Sequence, residues 1–335
     1  MSSLSSSHAA VTITFGDQAE NHVGMEKIGS LSDAGFTHHH LLRAQQRFEA
    51  LGCPCELVDL VHEAGLSHLY PTICPAFLLV VHGAVDAILE EVGKGAADAF
   101  LEHARLDTDK KALMYGRVVN KSARHNLCFA EVGSEPAYEE GRGRVVAWAD
   151  VPLTSRVRAA LPEFLGAIAS GLVGEGNYYY DVTKCGIGFH GDAERRKVVG
   201  VRLGAAIPLH YQWFHKGQPV GDRVERTMGH GCLYVMSEKA VGFDWRCSSK
   251  LTLRHAAGAD RFLALSARKA LVMPTAAVDV SAAVSASEAA VVPAVTVCVA
   301  SKDAMEMERD VAVLRHGGSD SGGECLLDVT SASAS

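Results

Sequence analysis

The sequence lacks any long apolar run. No stretch approaches 18 uninterrupted apolar residues, and the longest, Ile73 to Val81, is too short to span a bilayer. The first residues, Met1 to His8, are rich in serine and contain no apolar core of the kind found in signal peptides. The sequence therefore predicts no membrane role and an intracellular protein, in the cytoplasm or the nucleus.

The sequence also lacks a repeated pattern of cysteine pairs. Nine cysteines are spread from Cys53 to Cys325 without a regular interval. Cys53 and Cys55 form the one tight pair, and no second pair follows at the spacing of a zinc finger. This distribution favours free thiols in a reducing compartment over a disulfide framework or a structural zinc site.

Aromatic residues are absent from one end of the chain. Leu271 to Ser335 contains no Phe, Trp or Tyr and is dominated by Ala, Val and Ser. Without aromatic side chains to anchor a core, this segment is predicted to be a low-complexity, disordered tail. Residues 1–10 are predicted to be a disordered lead.

Excess positive charge is absent as well. The formal net charge is -7 and the isoelectric point is near 6.1. These values argue against a broad nonspecific contact with phosphate backbones, although they are compatible with a local basic groove. The hydrophobic content of 48% is enough to build the core of a globular protein.

The first part of the chain carries mainly helical patterns. Val11 to Phe15 alternates like a strand, after which three segments place apolar residues three and four positions apart. These segments are Leu41 to Leu51, Glu56 to Ala64 and Val85 to Ala104. Residues 11–110 are therefore predicted to form a helical N-terminal layer.

From Ala112 onward the pattern changes to short β-rich runs. They include 144–148, 198–203, 208–214, 232–236 and 250–254, and one predicted helix, Ser155 to Ser170, interrupts them. Many short strands after an opening set of helices are typical of a barrel or sandwich with helices packed on one side. The predicted fold class is α+β, with the barrel in residues 111–270.

His190 and Asp192 are the first residues for which chemistry can be argued. At the end of a strand, an imidazole and a carboxylate two positions apart point the same way, so they can occupy neighbouring positions on one metal ion. A His-x-Asp triplet also arises by chance in a chain with 16 histidines. The pair therefore needs a third ligand to indicate a metal site.

His255 is the predicted third ligand. A facial set of two histidines and one carboxylate holds Fe(II) and leaves the opposite positions open, which requires a second imidazole from a distant strand. His255 lies in an apolar, strand-like run that begins at Leu251. A buried histidine satisfied within the core is the alternative interpretation of His255.

Several segments around this pair resemble AlkB-type Fe(II)/2-oxoglutarate dioxygenases as a set. An Asn-Tyr segment precedes His-x-Asp, a strand that ends in Leu-Gly follows, and a Gly-Cys-Leu turn leads into the next strand. The segments are 177–180, 186–192, 198–204 and 231–236. The resemblance covers about Arg117 to Phe262, including a helix before the Asn-Tyr strand.

The resemblance implies a fold, cofactors and a substrate class. It implies a double-stranded β-helix, a jelly-roll-like barrel, that binds Fe(II), 2-oxoglutarate and O2 and hydroxylates or demethylates its substrate. Asn177 and Tyr179 would bind 2-oxoglutarate, and Arg124 would belong to a loop that covers the substrate. An alkylated nucleobase is the implied substrate, which makes nucleic acid a possible partner.

The sequence departs from the family in two places. The family's second histidine would fall near Arg246 or Cys247, so either His255 binds the metal from a shifted position or one ligand is missing. Arg254 resembles the arginine that binds the 2-oxoglutarate carboxylate. As a strand neighbour of His255 it would point to the opposite face, which leaves Arg261 and Arg268 as alternatives.

The sequence is also compatible with other site residues, substrates and functions. His210 lies on a strand of which one face could line the active site, and it is a candidate for substrate binding. The same barrel chemistry could act on a protein side chain or a small metabolite. A noncatalytic β-barrel binding module, in which His190 and Asp192 have no metal role, is the alternative from another functional class.

Overall fold

The computed structural model describes residues 8–265. Within that range the chain forms sixteen β-strands and six α-helices. The strands are β1 Ala10–Gly16, β2 Gln18–Glu20, β3 Lys27–Gly29, β4 Cys55–Asp59, β5 Phe77–Val81, β6 Lys111–Met114, β7 Arg117–Asn120, β8 His125–Ala130, β9 Val145–Ala147, β10 Val173–Tyr179, β11 Gly186–His190, β12 Val198–Gly204, β13 Ile207–His215, β14 Gln218–Met228, β15 Leu233–Met236 and β16 Thr252–Gly258. The helices are α1 His38–Ala50, α2 Ala84–Leu89, α3 Ala96–Ala104, α4 Pro152–Leu165, α5 Glu238–Val241 and α6 Asp260–Leu263.

Two sheets dominate the fold. The larger sheet has eight strands in the order β4-β5-β15-β12-β1-β10-β8-β9. The smaller sheet has four strands in the order β11-β16-β13-β14, and all of its pairs are antiparallel. Two short hairpins, β2-β3 and β6-β7, complete the described strands.

The larger sheet lies between helices α1 to α4 and the smaller sheet. On β1, Val11, Ile13 and Phe15 are buried in the core cluster that contains the apolar faces of α1 to α4. The alternate residues Thr12 and Thr14 face the smaller sheet across a cavity. A second buried cluster joins side chains of the two sheets. Each large apolar side chain in these layers stabilises the fold by roughly 1.5–3 kcal/mol.

This arrangement confirms the α+β class, with mostly sheet and few helices. No strand pairing joins the two sheets within residues 8–265, so the described strands do not close into a barrel. None of the helices in that range is long and apolar enough to cross a bilayer.

Several predicted elements match the structure. β1 confirms the first strand, and α1 and α4 confirm two of the helices with small shifts at their ends. The segment from Val85 to Ala104 forms two helices, α2 and α3, because Gly93 adopts a left-handed conformation between them.

The predicted helix from Glu56 to Ala64 is wrong. Its first residues form β4, which pairs with β5 at the edge of the larger sheet. The Asp59 carboxylate then accepts hydrogen bonds from the backbone N–H groups of Val61 and His62, at 2.9 and 3.0 Å, and turns the chain. Leu57 and Val58 suit either a helix or a strand, so pairing with β5 decides the structure.

The predicted division at residue 110 does not follow the sheets. β1, the predicted first strand, and β4 and β5, which come from the segment expected to be helical, belong to the same sheet as β8, β10, β12 and β15. Ala10, at the end of the predicted lead, begins β1. The predicted tail, Leu271 to Ser335, lies outside the described residues, as do residues 1–7.

Candidate metal centre

The pairing of β11 with β16 places His190 and His255 side by side. In this antiparallel pair His190 is the register partner of His255, and their ring centres are 4.5 Å apart. A bulge between Ile187 and His190 shifts the register of β11 just before the histidine. Direct cross-strand partners have side chains on the same face of a sheet, so both imidazoles point into the space between the sheets.

Asp192 reaches the same point from the turn after β11. Its backbone N–H donates to the Val241 carbonyl at 3.0 Å, which ties the turn to the end of α5. Gly191 lies so close to Gly242 that a Cβ atom there would come within 2.2 Å of the Gly242 carbonyl oxygen. Only glycine fits between the two predicted ligands, and its presence lets the turn approach α5.

The three side chains form a compact group of metal-ligand type. Their ligand atoms all lie within 4.8 Å of one another. Asp192 Oδ1 is 3.4 Å from His190 Nε2 and 3.6 Å from His255 Nε2. Asp192 and His255 are buried, whereas His190 is partly exposed to the cavity. Two imidazoles and one carboxylate in this arrangement can hold a divalent metal ion and leave positions open on its cavity side.

Hydrogen bonding orients the His190 ring. Its Nδ1 is 2.8 Å from the Gly188 carbonyl oxygen, and a carbonyl only accepts, so Nδ1 carries the proton. In the neutral ring this leaves Nε2 unprotonated and facing Asp192, as a metal ligand requires. The His255 Nδ1 is buried and has no hydrogen-bond partner among the described residues.

The charge of the site favours a cation. Burial raises the pKa of the Asp192 carboxyl, but Arg195, His190 and His255 outweigh burial and hold that pKa well below its usual value. Burial lowers the pKa of the His255 imidazole, and the neighbouring His190 lowers it further. At neutral pH the group is therefore an ionised carboxylate beside a neutral His255, which is the protonation state that binds a metal.

A cavity of about 890 Å³ opens onto the three ligands. Its inner wall comes from β1, β10, β12 and β15 of the larger sheet and from β11, β13 and β16 of the smaller sheet. Its mouth, defined here as residues 20–25 and Lys27 with Arg124, Trp245 and Arg246, carries charges of both signs. The cavity is large enough for a small acid together with part of a second molecule.

Arg202 is a cavity residue that the sequence-based reasoning missed. It lies on β12, and its side chain is 2% exposed. One Nη donates to the Thr12 hydroxyl, the Nε is buried without a hydrogen-bond partner, and no ion pair joins it to a carboxylate of residues 8–265. A cation within the otherwise apolar run from Val198 to Leu203 is the signal that would have identified it.

Three other predicted residues line the cavity. Asn177 and Tyr179 point inward from β10, and Arg124 lies at the mouth. The Arg124 Nε donates to the Asn177 amide oxygen, and Asn126 donates to the same oxygen at 2.9 Å. Sequence reasoning therefore placed these side chains near the predicted ligands.

The remaining predicted residues lie elsewhere. Arg254 points away from the cavity, with its guanidinium 4.0 Å from the Phe214 ring centre, because neighbours on β16 alternate between faces. Arg261 donates to the Lys184 carbonyl, and His210 faces Glu225 at 3.4 Å. None of the three lines the cavity, so their predicted binding roles have no support here. Arg268 lies outside the described residues.

Comparison with known proteins shows similarity to a viral protein. No family model matches the chain. The chain is 44% identical over 253 residues to a protein of Acanthamoeba polyphaga mimivirus described as "Uncharacterized protein R156". The match covers 76% of this chain and 97% of the viral protein, so the two share most of their length.

Replacement of a predicted ligand is expected to abolish tight metal binding. Alanine at His190, Asp192 or His255 should weaken the affinity for Co(II) by more than about 100-fold, because even residues that only orient metal ligands contribute roughly 10- to 100-fold. Isothermal titration calorimetry measures this effect. His215→Ala removes a histidine from β13 outside the site and should bind like the wild type. Wild-type affinity in Asp192→Ala would contradict the assignment.

Proposed function

The chain belongs to the family that includes the mimivirus protein R156, and we propose that it is an Fe(II)- and 2-oxoglutarate-dependent dioxygenase. One observation carries the proposal. A facial set of two histidines and one aspartate opens into a cavity that also holds a buried, unpaired arginine, Arg202. A metal with open positions beside a site for an acid is the arrangement that this chemistry needs.

We further propose that the two sheets form a double-stranded β-helix. From β10 to β16 the chain passes between the larger and the smaller sheet at almost every step. A jelly roll has eight strands in two sheets, and β11, β16, β13 and β14 account for one set of four. The other set has the order β15-β12-β1-β10, in which β1 from the start of the chain lies between β12 and β10. This order supports a jelly roll whose eighth strand is N-terminal.

The donor set fits iron(II). Imidazole and carboxylate ligands on one face, with open positions opposite, are characteristic of non-haem Fe(II) oxygenases. When bound, Fe(II) with O2 and 2-oxoglutarate supplies the oxidation of a substrate C–H bond, coupled to decarboxylation of 2-oxoglutarate to succinate and CO2. The protein's own part is to hold His190, Asp192 and His255 in place and to keep the cavity walls dry around them.

Arg202 fits the distal carboxylate of 2-oxoglutarate. A buried guanidinium without an acidic partner loses several kcal/mol of hydration, so a bound anion would stabilise it. Arginine also matches a carboxylate bidentately. Register places Arg202, Thr12 and Asn177 in one row across β12, β1 and β10, on the cavity face. Arg202 therefore replaces Arg254 and Arg261 as the proposed cosubstrate residue.

Tyr179 remains a proposed 2-oxoglutarate ligand, and Asn177 has a different part. The Asn177 amide already bonds with Arg124, Asn126 and Glu175. Through these hydrogen bonds Asn177 orients Arg124 at the mouth of the cavity. The Tyr179 hydroxyl makes no hydrogen bond to a residue of the described range, and it lines the same part of the cavity. It is therefore the one of the two that is available to a bound acid.

The substrate that we propose is an alkylated nucleobase in nucleic acid, and a basic hairpin supports it. Residues 110–125, which contain β6 and β7, carry five cations and no Asp or Glu, although the whole chain has a net charge of -7. Lys110, Lys111 and Arg117 are exposed. Arg124, just beyond β7, lies at the cavity mouth. A phosphate backbone on this basic hairpin would therefore run past the entrance to the metal site.

The tip of the basic hairpin carries an exposed aromatic residue. Tyr115 is 95% exposed and has a φ of 51°, in a two-residue turn with Gly116. A non-glycine residue in the left-handed region costs about 1–2 kcal/mol, and Asn-Gly is the preferred sequence for such turns. Neither burial nor turn formation explains a tyrosine at this position. A role in stacking on an unpaired base does explain it.

Removal of Arg202 is expected to impair use of 2-oxoglutarate selectively. Arg202→Met should raise the KM for 2-oxoglutarate by about 10- to 100-fold, since a charged hydrogen bond contributes roughly 1.5–3 kcal/mol. Succinate release from 2-oxoglutarate, with Fe(II) present, provides the assay. Arg254→Met is the matched control and should keep the wild-type KM. If the wild-type protein binds Fe(II) but releases no succinate, a noncatalytic binding module is the better account.

Changes in the basic hairpin are expected to weaken binding of single-stranded oligonucleotides. Tyr115→Ser should reduce affinity about 5- to 100-fold through lost stacking. Joint replacement of Lys110, Lys111 and Arg117 by Gln should make the binding constant less dependent on salt. The magnitude of the slope of log binding constant against log salt concentration should fall by about 2. The control variant has Arg43, Arg47 and Lys94 changed to Gln, which removes the same number of cations from a surface outside the basic hairpin.

Mass spectrometry on methylated oligonucleotides and on a set of peptides tests the substrate itself. We expect demethylated nucleobases and unmodified peptides. Two results together would reject the nucleobase as substrate. Peptides would be hydroxylated while the oligonucleotides stay unchanged, and the hairpin and control variants would bind oligonucleotides with equal affinity. The dioxygenase proposal would then still stand.

A further inference from the structure

We propose that Arg195 is a positioning residue that restricts Asp192 to one metal-binding oxygen. This inference rests on the proposed function, because it concerns how the metal is held. Arg195 lies three residues after Asp192, and its pattern in the sequence, Arg-Arg-Lys, is typical of a solvated turn. In the structure its side chain is instead 3% exposed and lies beside the candidate metal centre.

The two oxygens of Asp192 have different partners. Oδ1 faces both imidazoles, at 3.4 Å from His190 Nε2 and 3.6 Å from His255 Nε2. Oδ2 faces Arg195 instead, at 3.5 Å from its Nε. One oxygen is therefore directed to the metal position, and the other is directed to a guanidinium. Because only Oδ1 faces the imidazoles, this carboxylate is oriented to bind a metal through one oxygen.

Arg195 is itself fixed from the far side. One Nη donates to Glu175 on β10 and, at 2.8 Å, to Glu194, which also accepts a hydrogen bond from the Arg195 Nε at 3.2 Å. Glu175 is 6% exposed, so this ion pair is buried in the wall of the cavity. Buried, charge-assisted hydrogen bonds hold a side chain in one rotamer more firmly than exposed ones do. The guanidinium is thus anchored to the larger sheet while it contacts a ligand that belongs to the smaller sheet's turn.

The anchor extends to the mouth of the cavity. Glu175 also accepts a hydrogen bond from the Asn177 amide, at 3.1 Å, and Asn177 accepts one from Arg124. A continuous set of polar contacts therefore runs from Asp192 through Arg195, Glu175 and Asn177 to Arg124. Each member other than Arg124 and Asn177 is buried.

The positioning has a chemical consequence. Carboxylates bind metals through one or two oxygens, and a second oxygen from Asp192 would occupy a position on the open side of the metal. An octahedral ion held by three protein atoms keeps three positions for other ligands, and a two-oxygen aspartate leaves two. The cation of Arg195, held 3.5 Å from Oδ2, attracts that oxygen away from the metal position and so keeps the third position available.

Water relaxation by bound Mn(II) counts those positions without any turnover. With Mn(II) as the probe, Arg195→Gln should reduce the relaxation enhancement of water protons per bound ion by about one third relative to the wild type, since one of three exchangeable waters is lost. Arg195→Lys keeps a cation beside Oδ2 and should restore most of the wild-type value. Arg196→Gln is the matched control, because that neighbour pairs with Glu238 and does not line the cavity.

The outcomes separate this inference from the proposed function. If the wild type binds no Mn(II), the proposed function fails and this inference fails with it. If the wild type binds Mn(II) and Arg195→Gln relaxes water as the wild type does, only the role of Arg195 is overturned. Should Arg195→Gln fail to fold with Glu175 left unpaired, the double variant Glu175→Gln, Arg195→Gln removes both charges and is expected to show the same loss.

Discussion

The pairing of β11 with β16 is the constraint on which the site depends. It brings His190 opposite His255, although the two are far apart in the chain. Asp192 can then complete the group because Gly191 lets the turn approach α5 closely. Two imidazoles and a buried carboxylate collected at one point have little value as packing, since each costs free energy to desolvate. A divalent cation bound between the three side chains would offset this cost.

The two buried arginines of the cavity differ in how their charge is balanced. Arg195 lies among three carboxylates, those of Asp192, Glu175 and Glu194, so the protein itself neutralises it. Arg202 has a hydroxyl partner, a buried Nε without a hydrogen-bond partner and a guanidinium 5.7 Å from the Tyr234 ring centre, so no carboxylate of residues 8–265 neutralises it. This contrast separates the residue that we propose to position Asp192 from the one that we propose to bind an anionic cosubstrate. Burial alone would not distinguish them.

Part of the fold and the three candidate ligands could be predicted from the sequence, because residue alternation and the His-x-Asp spacing are local patterns. Alternating apolar residues identified β1, and the His-x-Asp triplet with a later strand histidine identified the three residues that the structure brings together. The rest depends on strand order. Nothing local shows that β4 pairs with β5, that β1 lies between β10 and β12, or that Arg195 is buried. Arg202 was detectable, because a cation in an apolar strand needs a partner.

A crystal structure grown with Mn(II) and 2-oxoglutarate would show directly whether the three side chains hold a metal beside a bound acid. We expect one anomalous scattering peak bonded to His190, Asp192 and His255, with the acid extending from that metal to the guanidinium of Arg202. A metal peak at another place, or the three side chains turned apart with no metal between them, would contradict this expectation.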